Sequence, residues 1–286
     1  MFSQETAFTI NAGHIAHYEA HLQERERAKN TVKKYIHDLN DFMAFLNGQP
    51  ITKGTVIAWK EHLTETYTPA TVNSMLAAVN GFFHFMDWAK LSVRPLKVQR
   101  PLFRDESREM TRAEYVRLVD AAHRQGNERL ALLIQTICAT GIRVSELRFI
   151  TVEAAALGRT VVSNKGKRRT VFLPGKLCKL LKKYLKKQKI TEGSVFVTRT
   201  GKPLDRSNIW RDMKALCESA GVEPGKVFPH NLRHLFARTY YSLEKDLSRL
   251  ADILGHSNVT TTRIYTAESG FVHARQMEQL GLILTT

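Results

Sequence analysis

The sequence has few cysteines and no long apolar run. Its 286 residues include three cysteines, Cys138, Cys178 and Cys217, which are odd in number and too far apart for a disulfide framework or a cysteine-rich zinc site. No stretch approaches the roughly 18 uninterrupted apolar residues of a membrane span, and the N-terminus lacks the features of a secretory signal. We therefore expect a cytoplasmic protein that does not bind a membrane.

Acidic residues are scarce relative to basic ones. The chain has 43 Lys and Arg against 27 Asp and Glu, a net charge of +16. Residues 1–100 contain 11 basic and 9 acidic side chains, whereas residues 101–286 contain 32 and 18. Positive charge of this size attracts polyanions, of which nucleic acid is the most common. The second part of the chain is therefore the predicted nucleic-acid-binding part.

Several motifs of cofactor and metal chemistry are also absent. The sequence contains no Walker loop, no paired-carboxylate metal site and no glycine-rich dinucleotide turn. His230 and His234 are four residues apart, but a metalloprotease helix needs Glu directly after its first His, and position 231 is Asn. We expect neither a cofactor nor a metal.

The residues present predict two domains joined by a basic linker. Residues 1–92 show apolar residues at three- and four-residue spacing, with helix starts at Thr52 and at Thr68-Pro69, so this domain is predicted to be all-helical. The linker, residues 93–109, contains prolines and spaced basic residues, among them the candidate DNA contacts Lys97 and Arg100.

Residues 110–286 predict a mixed α+β domain that is mainly helical. A capping box begins at Thr111, and a later helix ends at Gly141. Short β-branched runs on either side of residues 164–167 predict a β-hairpin with a basic tip, and Val195–Val197 reads as a further strand. The region from residue 205 to 284 is predicted to be helical.

Basic residues concentrate around this hairpin. Residues 154–191 contain twelve Lys or Arg and no acidic residue, and residues 176–189 form an amphipathic helix with seven lysines. A solvated lysine face and a phosphate-binding face are both compatible with that helix. On the hairpin, Lys167, Arg168 and Arg169 are candidate DNA contacts.

Four segments of the second domain place polar side chains where a core does not need them. Arg143 directly follows a glycine-terminated helix, and its planar guanidinium suits a phosphate. His230 and Arg233 are three residues apart and share a helix face just after a proline start, where unpaired backbone N–H groups favour anions.

The other two segments supply a histidine, a tyrosine and a lysine. His256 follows a glycine turn, and Tyr265 ends the hydroxyl-rich run after it. Lys165 lies at the predicted hairpin tip, with Lys167 two residues away.

In order and spacing, these residues resemble the signature of the tyrosine recombinases, the phage integrase and Xer-like group. The resemblance covers residues 11–280 and rests on six positions: Arg143 in ATGIRVSEL, Lys165, His230 and Arg233 in HNLRH, His256 in LGH, and Tyr265 in TTRIY. It implies a SAM-like helical core-binding domain followed by a catalytic domain of the DNA breaking-rejoining type.

The resemblance also implies a role for each residue. Tyr265 would be the nucleophile that forms a 3′-phosphotyrosyl link, with Arg143 and Arg233 as the phosphate-binding cations. His230 would assist deprotonation of the tyrosine and His256 would hydrogen-bond the phosphate. Lys165 would protonate the leaving 5′-oxygen. Because the link conserves the energy of the cut bond, neither ATP nor a metal is needed.

The implied partner is duplex DNA with an inverted-repeat site, so the protein is expected to be nucleoid-associated. The two domains would close around it as a clamp, and four protomers would assemble on two sites. The tail after Tyr265 is apolar enough to dock into a neighbouring subunit, although packing within its own subunit is an equal alternative; its apolar residues are Phe271, Val272, Met277, Leu280, Leu282 and Ile283.

Two other functions remain open at this point. A type IB topoisomerase uses similar chemistry but relaxes supercoils instead of exchanging strands. A DNA-binding regulator could keep the fold and lack the reaction, although all six matching positions hold competent residues. The sequence does not separate integration or excision of a mobile element from resolution of DNA dimers.

Overall fold

The computed structural model describes residues 8–98, 106–164, 166–265 and 277–280. The chain divides into two compact units, Met1–Arg100 and Pro101–Thr286. No helix of the described residues is both long and apolar enough to span a bilayer.

The first unit is helical in its described part. Its helices are α1 (Ala12–Glu24), α2 (Lys29–Leu46), α3 (Lys53–Thr66), α4 (Pro69–Phe85) and a 3₁₀ turn (Ala89–Leu91). The predicted starts are present: Thr52 and Thr68 each cap the helix that follows with their side-chain oxygen. The helices enclose an apolar core that includes the fully buried Phe42, Trp59 and Phe82.

The second unit is mainly helical with one small sheet. Its elements are α5 (Arg112–Arg124), α6 (Glu128–Thr140), a 3₁₀ helix (Val144–Phe149), α7 (Val152–Leu157), β1 (Arg159–Asn164), β2 (Lys167–Phe172), α8 (Gly175–Gln188), α9 (Arg206–Lys214), α10 (Cys217–Ala220), α11 (Pro229–Glu244), α12 (Leu247–Leu254) and a 3₁₀ helix (Val259–Tyr265), with further 3₁₀ turns at Glu106–Arg108 and Pro224–Lys226. The predicted mixed, mainly helical fold is therefore confirmed.

The basic hairpin is present as predicted. Strands β1 and β2 are antiparallel, with Arg159 opposite Phe172 and Asn164 opposite Lys167. Gly166, directly before β2, has a φ of +76°, the left-handed conformation that tight hairpin turns require. Lys165 lies outside the described residues.

The predicted strand at Val195–Val197 is wrong. The structure has only single bridges there, from Ser194 to Thr151 and from Val197 to Pro203. The bridge to Pro203 is closed by the Thr198 N–H to the Lys202 carbonyl and by the Leu204 N–H to the Phe196 carbonyl, and no neighbouring pair of described residues extends it into a ladder. Val195 and Phe196 are nevertheless buried, at 0% and 1% exposure, which explains the apolar run that suggested a strand.

Candidate active site

The end of α6 directs Arg143 into the site. Gly141 ends α6 in the left-handed conformation, with a φ of +62°. Two residues later, Arg143 donates from Nη2 to the carbonyl of Gly255 at 3.1 Å and from Nη1 to Glu146 Oε1 at 3.1 Å. Its side chain is still 30% exposed, so its guanidinium is both fixed and accessible.

Arg233 is the most deeply buried cation of the site. It lies in α11 with 1% exposure, donating from Nη1 to the carbonyl of Gly141 and from Nη2 to that of Leu254 at 2.6 Å. These carbonyls end α6 and α12, where helix dipoles favour a positive charge. Burial lowers the pKa of Arg233 to about 10, so it stays charged at neutral pH.

His256 links Arg233 to the last 3₁₀ helix. Its Nε2 lies 3.2 Å from Arg233 Nη2, and its Nδ1 lies 2.9 Å from the hydroxyl of the buried Thr262. Because a guanidinium can only donate, Nε2 accepts and Nδ1 carries the proton. Burial and the Arg233 and Arg143 charges lower the pKa of His256 to about 4, so the ring is neutral at pH 7.

Tyr265 packs beside these groups and is 5% exposed. Its ring centroid is 6.2 Å from that of His256 and 5.1 Å from that of His234. Burial raises the pKa of the Tyr265 hydroxyl, whereas the charge of Arg233 and its contact with that hydroxyl oppose the rise. The arginines therefore favour the ionised tyrosine that a nucleophilic attack requires.

Two clefts flank Arg143. One, of 440 Å³, is lined by His230 and Arg233 of α11 and by Arg206 and Trp210 of α9. Burial and the charges of Arg233, Arg143 and Arg206 lower the pKa of His230.

The other cleft, of 610 Å³, is lined by the hairpin and by the loop after α12. It contains Lys167, Arg168 and His256, and Lys167 Nζ donates to the Ser257 hydroxyl at 2.7 Å. Cations from separate elements thus border both sides of Arg143, an arrangement that suits a polyanion.

The structure brings five of the six predicted catalytic residues into one region, and the sixth, Lys165, lies outside the described residues. Among the candidate DNA contacts, Lys167 and Arg168 line the cleft, Lys97 is exposed in the first unit, and Arg100 lies outside the described residues. Arg169 has an internal partner in addition to its cleft position.

That partner is Glu146, which the sequence reasoning missed. Arg169 binds both oxygens of Glu146 at 2.9 Å, and the Glu146 side chain is 1% exposed. Burial raises the pKa of Glu146, but the bonds from Arg169 and from the backbone N–H of Arg143 outweigh it and bring the pKa to about 2. The spacing of Glu146 three residues after Arg143 was the available signal.

His234, Thr262, Arg206 and Trp210 were also missed as site residues. His234 directly follows Arg233, and Thr262 belongs to the hydroxyl-rich run before Tyr265. Arg206 and Trp210 come from α9, far from the other motifs in sequence, and Trp210 is 51% exposed. No three His, Cys, Asp or Glu side chains of the described residues are grouped so as to hold a metal.

Sequence comparisons with known proteins match most of this chain. A model of the phage integrase family matches residues 108–270, and a model of the phage integrase N-terminal SAM-like domain matches residues 15–90. The tyrosine recombinase XerD of Lacticaseibacillus casei is 31% identical over 277 residues, which cover 89% of this chain and 93% of that protein.

Two solved structures share the fold. A lambda integrase (75-356) dimer bound to a COC′ core site has a TM-score of 0.74 at 18% identity, covering 92% of this chain and 97% of that one. The XerH recombinase bound to its difH substrate has a TM-score of 0.70 at 20% identity, covering 96% and 85%. Since both domain models match and the XerD relative spans most of the chain, the chain belongs to the phage integrase family and is a tyrosine-type site-specific recombinase.

Proposed function

We propose that this recombinase cuts and rejoins duplex DNA through a 3′-phosphotyrosyl link to Tyr265, without metal or ATP. The observation that carries the proposal is the position of Tyr265, whose ring lies beside that of His256 and whose hydroxyl is influenced by the charges of Arg233 and Arg143; His256 and Arg143 both line the basic cleft. Duplex DNA is the proposed partner because both solved structures described above are complexes with DNA sites.

In the proposed cleavage step, the Tyr265 oxygen attacks phosphorus and the 5′-oxygen leaves. Arg143 and Arg233 stabilise the negative charge that grows on the non-bridging oxygens. His256 hydrogen-bonds the phosphate. For this, its Nε2 must release Arg233 and donate a hydrogen bond to the phosphate, so the ring must either gain a proton or move its proton from Nδ1 to Nε2. The phosphate charge itself favours that change by raising the pKa of the imidazole.

His230 assists removal of the tyrosine proton, and Lys165 protonates the leaving 5′-oxygen. A neutral imidazole is required for the first role, and burial together with three nearby arginines lowers the pKa of His230. Attack on the phosphotyrosyl link by the 5′-hydroxyl of a partner strand then restores the phosphodiester with exchanged ends. The net reaction is recombination rather than hydrolysis.

A nicked suicide duplex tests the proposal. The duplex is selected from a library of randomised inverted repeats by repeated rounds of binding to the wild-type protein, without any step that requires a covalent complex. We expect a covalent adduct with wild type and none with Tyr265→Phe, under conditions where both bind the duplex. An adduct with both proteins, or with neither, would rule out Tyr265 as the nucleophile.

The same reagents separate the alternatives. Supercoiled plasmids with and without the selected site are compared. Equal rates of relaxation would favour a type IB topoisomerase, whereas activity only on the plasmid that contains the site favours the recombinase. DNA binding without an adduct would favour the inactive regulator.

We also propose that four protomers assemble on two sites and that the C-terminal tail docks into a neighbour. Met277 and Leu280 are 73% and 62% exposed, and the other apolar tail residues named above lie outside the described residues. An apolar groove of 390 Å³, bordered by Tyr115, Phe236 and Leu243, is a suitable receptor.

Deletion from Gly270 onward tests this assembly. We expect the shortened protein to bind one site and to lose the pairing of two sites in a gel-shift assay. Unchanged pairing would contradict docking in trans and leave packing within the subunit as the better interpretation.

A further inference from the structure

Two buried nitrogen atoms close to Tyr265 have no hydrogen-bond partner among the described residues. They are Nε of Arg233 and Nε2 of His234. A buried polar group without a partner costs about 1 to 3 kcal/mol, and such groups are rare in folded proteins. Both side chains contact Tyr265, so a single group at that position can meet both atoms during function.

His234 lies between the histidine and the tyrosine of the proposed reaction. Its ring centroid is 4.4 Å from that of His230 and 5.1 Å from that of Tyr265, and its plane is at 80° to the tyrosine ring. Perpendicular aromatic rings at this distance attract each other. The imidazole therefore forms one wall of the place that Tyr265 occupies.

The chemistry of the two nitrogens identifies the partner. The Nε–H of an arginine can only donate a hydrogen bond, a neutral imidazole nitrogen can accept one, and a phenol hydroxyl can do both at once. The Tyr265 hydroxyl therefore complements both groups. Burial and the charges of His230, Arg233 and His256 lower the pKa of His234 to about 4, so its ring is neutral at pH 7 and able to accept.

We propose that His234 is a positioning residue for the nucleophile. When DNA brings the Tyr265 hydroxyl onto the phosphate, His234 Nε2 accepts a hydrogen bond from that hydroxyl while Arg233 Nε–H donates to it. These two bonds fix the direction of the remaining oxygen lone pair, which points at phosphorus. As the oxygen attacks phosphorus, the proton leaves along the bond to His234, toward the adjacent His230 imidazole that assists its removal. The inference rests on the proposed function because it takes Tyr265 as the nucleophile.

Three substitutions in the full chain test the proposal. His234→Phe keeps the aromatic wall and removes the nitrogen, His234→Gln places an acceptor near the position of Nε2, and His234→Asn is equally polar but too short to reach it. The probe is the nicked duplex selected on the wild-type protein, and the readout is the single-turnover rate of adduct formation together with duplex affinity and the unfolding midpoint.

We expect His234→Phe to unfold at the wild-type midpoint or above it, since an unpaired buried nitrogen is lost. Duplex affinity should stay within about twofold of wild type, while adduct formation slows about tenfold or more, the effect of one hydrogen bond made in the transition state. His234→Gln should recover most of the rate and His234→Asn should not. If His234→Phe fails to fold, the comparison of Gln with Asn decides.

The proposal is overturned if His234→Phe forms the adduct at the wild-type rate, or if Gln and Asn slow the reaction equally. Failure of the proposed function looks different. In that case wild type forms no adduct, or Tyr265→Phe forms one, whatever the His234 variants do.

Discussion

A single buried carboxylate organises the cations of the site. Glu146 binds Arg169 through both oxygens and also binds Arg143, so it holds two guanidiniums that come from different elements. Removing one partner from a buried ion pair leaves an uncompensated charge, which typically costs about 3 to 5 kcal/mol. Glu146 therefore has two effects: it stabilises the second unit and it fixes the direction of the Arg143 guanidinium.

We expect Glu146→Gln to lower the free energy of unfolding by roughly 3 kcal/mol at pH 7. Because the folded-state pKa of Glu146 is about 2, below the ordinary value of 4.5, its contribution is complete above about pH 4.5 and is lost as the pH falls through about 2. Urea unfolding of wild type and variant from pH 7 to pH 3 measures this. A difference in stability that does not narrow below pH 4.5 would contradict it.

Gly141 is required by backbone conformation and by space. Its φ is +62°, and a Cβ there would lie 2.7 Å from Cε1 of Phe236 and 3.1 Å from Cδ2 of Leu254. Gly126 has a similar φ of +69° with nothing within 4 Å of its Cβ position. The two glycines therefore separate conformational strain from steric overlap.

We expect Gly126→Ala to cost about 1 kcal/mol, the strain of a left-handed alanine, and Gly141→Ala to cost about 3 kcal/mol, because overpacking adds to that strain. Denaturant unfolding measures both. Equal losses of stability would show that Phe236 and Leu254 move aside without cost.

Among the elements, the β1–β2 hairpin is the one whose catalytic residue, Lys165, is proposed from the family resemblance alone. Its register and the turn at Gly166 place a basic tip beside the loop after α12, where Lys167 binds Ser257. The proposed acid, Lys165, and the alternative, Lys167, are two residues apart. A substrate that needs no acid distinguishes them.

We expect Lys165→Ala to slow cleavage of the selected duplex by about 10²- to 10⁴-fold, the usual contribution of a general acid. A duplex with sulfur in place of the bridging 5′-oxygen should restore the rate, since a thiolate leaves without protonation. Lys167→Ala is the matched control and should show no such rescue. Rescue of Lys167→Ala alone would assign the acid to Lys167.

Local signals explain which elements the sequence predicts well. Thr52, Thr68 with Pro69, and Thr111 with Glu114 each satisfy the first N–H groups of a helix within three residues, so these starts can be identified without tertiary information. The run Val195–Val197 misleads because an apolar run indicates burial, whereas a strand also needs a partner segment that continues the pairing beyond a single bridge.

Long-range pairing explains what the sequence leaves out of the site. Glu146 and Arg169 are 23 residues apart, and Arg169 also donates to the carbonyl of Ile253, 84 residues away. No periodicity encodes such partners. Motif spacing identified Arg143, His230, Arg233, His256 and Tyr265, whereas the residues that hold them became visible only in the fold.

Over the whole molecule, the two units have separate apolar cores and unequal charge. The division at Arg100 lies within the linker predicted for residues 93–109, and the exact domain bounds stay a prediction. The surplus of basic residues belongs to the second unit. The positions of these basic residues, rather than their number, determine which of them contact a phosphate backbone.

We expect the hairpin to contact DNA and the lysine face of α8 to remain solvated. Lys167 and Arg168 line the cleft beside Arg143, whereas the exposed Lys182 and Lys186 line neither of the two clefts at Arg143. Each phosphate contact contributes about 0.9 to the slope of log affinity against log salt concentration.

Replacing Lys167 and Arg168 by Gln should therefore lower that slope by about 1.8. The pair Lys182→Gln and Lys186→Gln removes the same charge and should leave the slope unchanged. Fluorescence anisotropy of the selected duplex from low to moderate salt measures both variants. An equal fall in the two slopes would place α8 on the DNA as well.

The hydrogen bonds that the two Nη atoms of Arg233 make to the described residues go to two carbonyls and an imidazole rather than to a carboxylate. Carbonyl dipoles hold a guanidinium in place without cancelling its charge, so the folded protein retains a buried cation whose energy an arriving oxyanion lowers. Thermal stability and substrate binding are thereby linked. Inorganic sulfate or vanadate, which offers only the shape and charge of the reacting phosphate, should raise the melting temperature and compete with DNA for the same site.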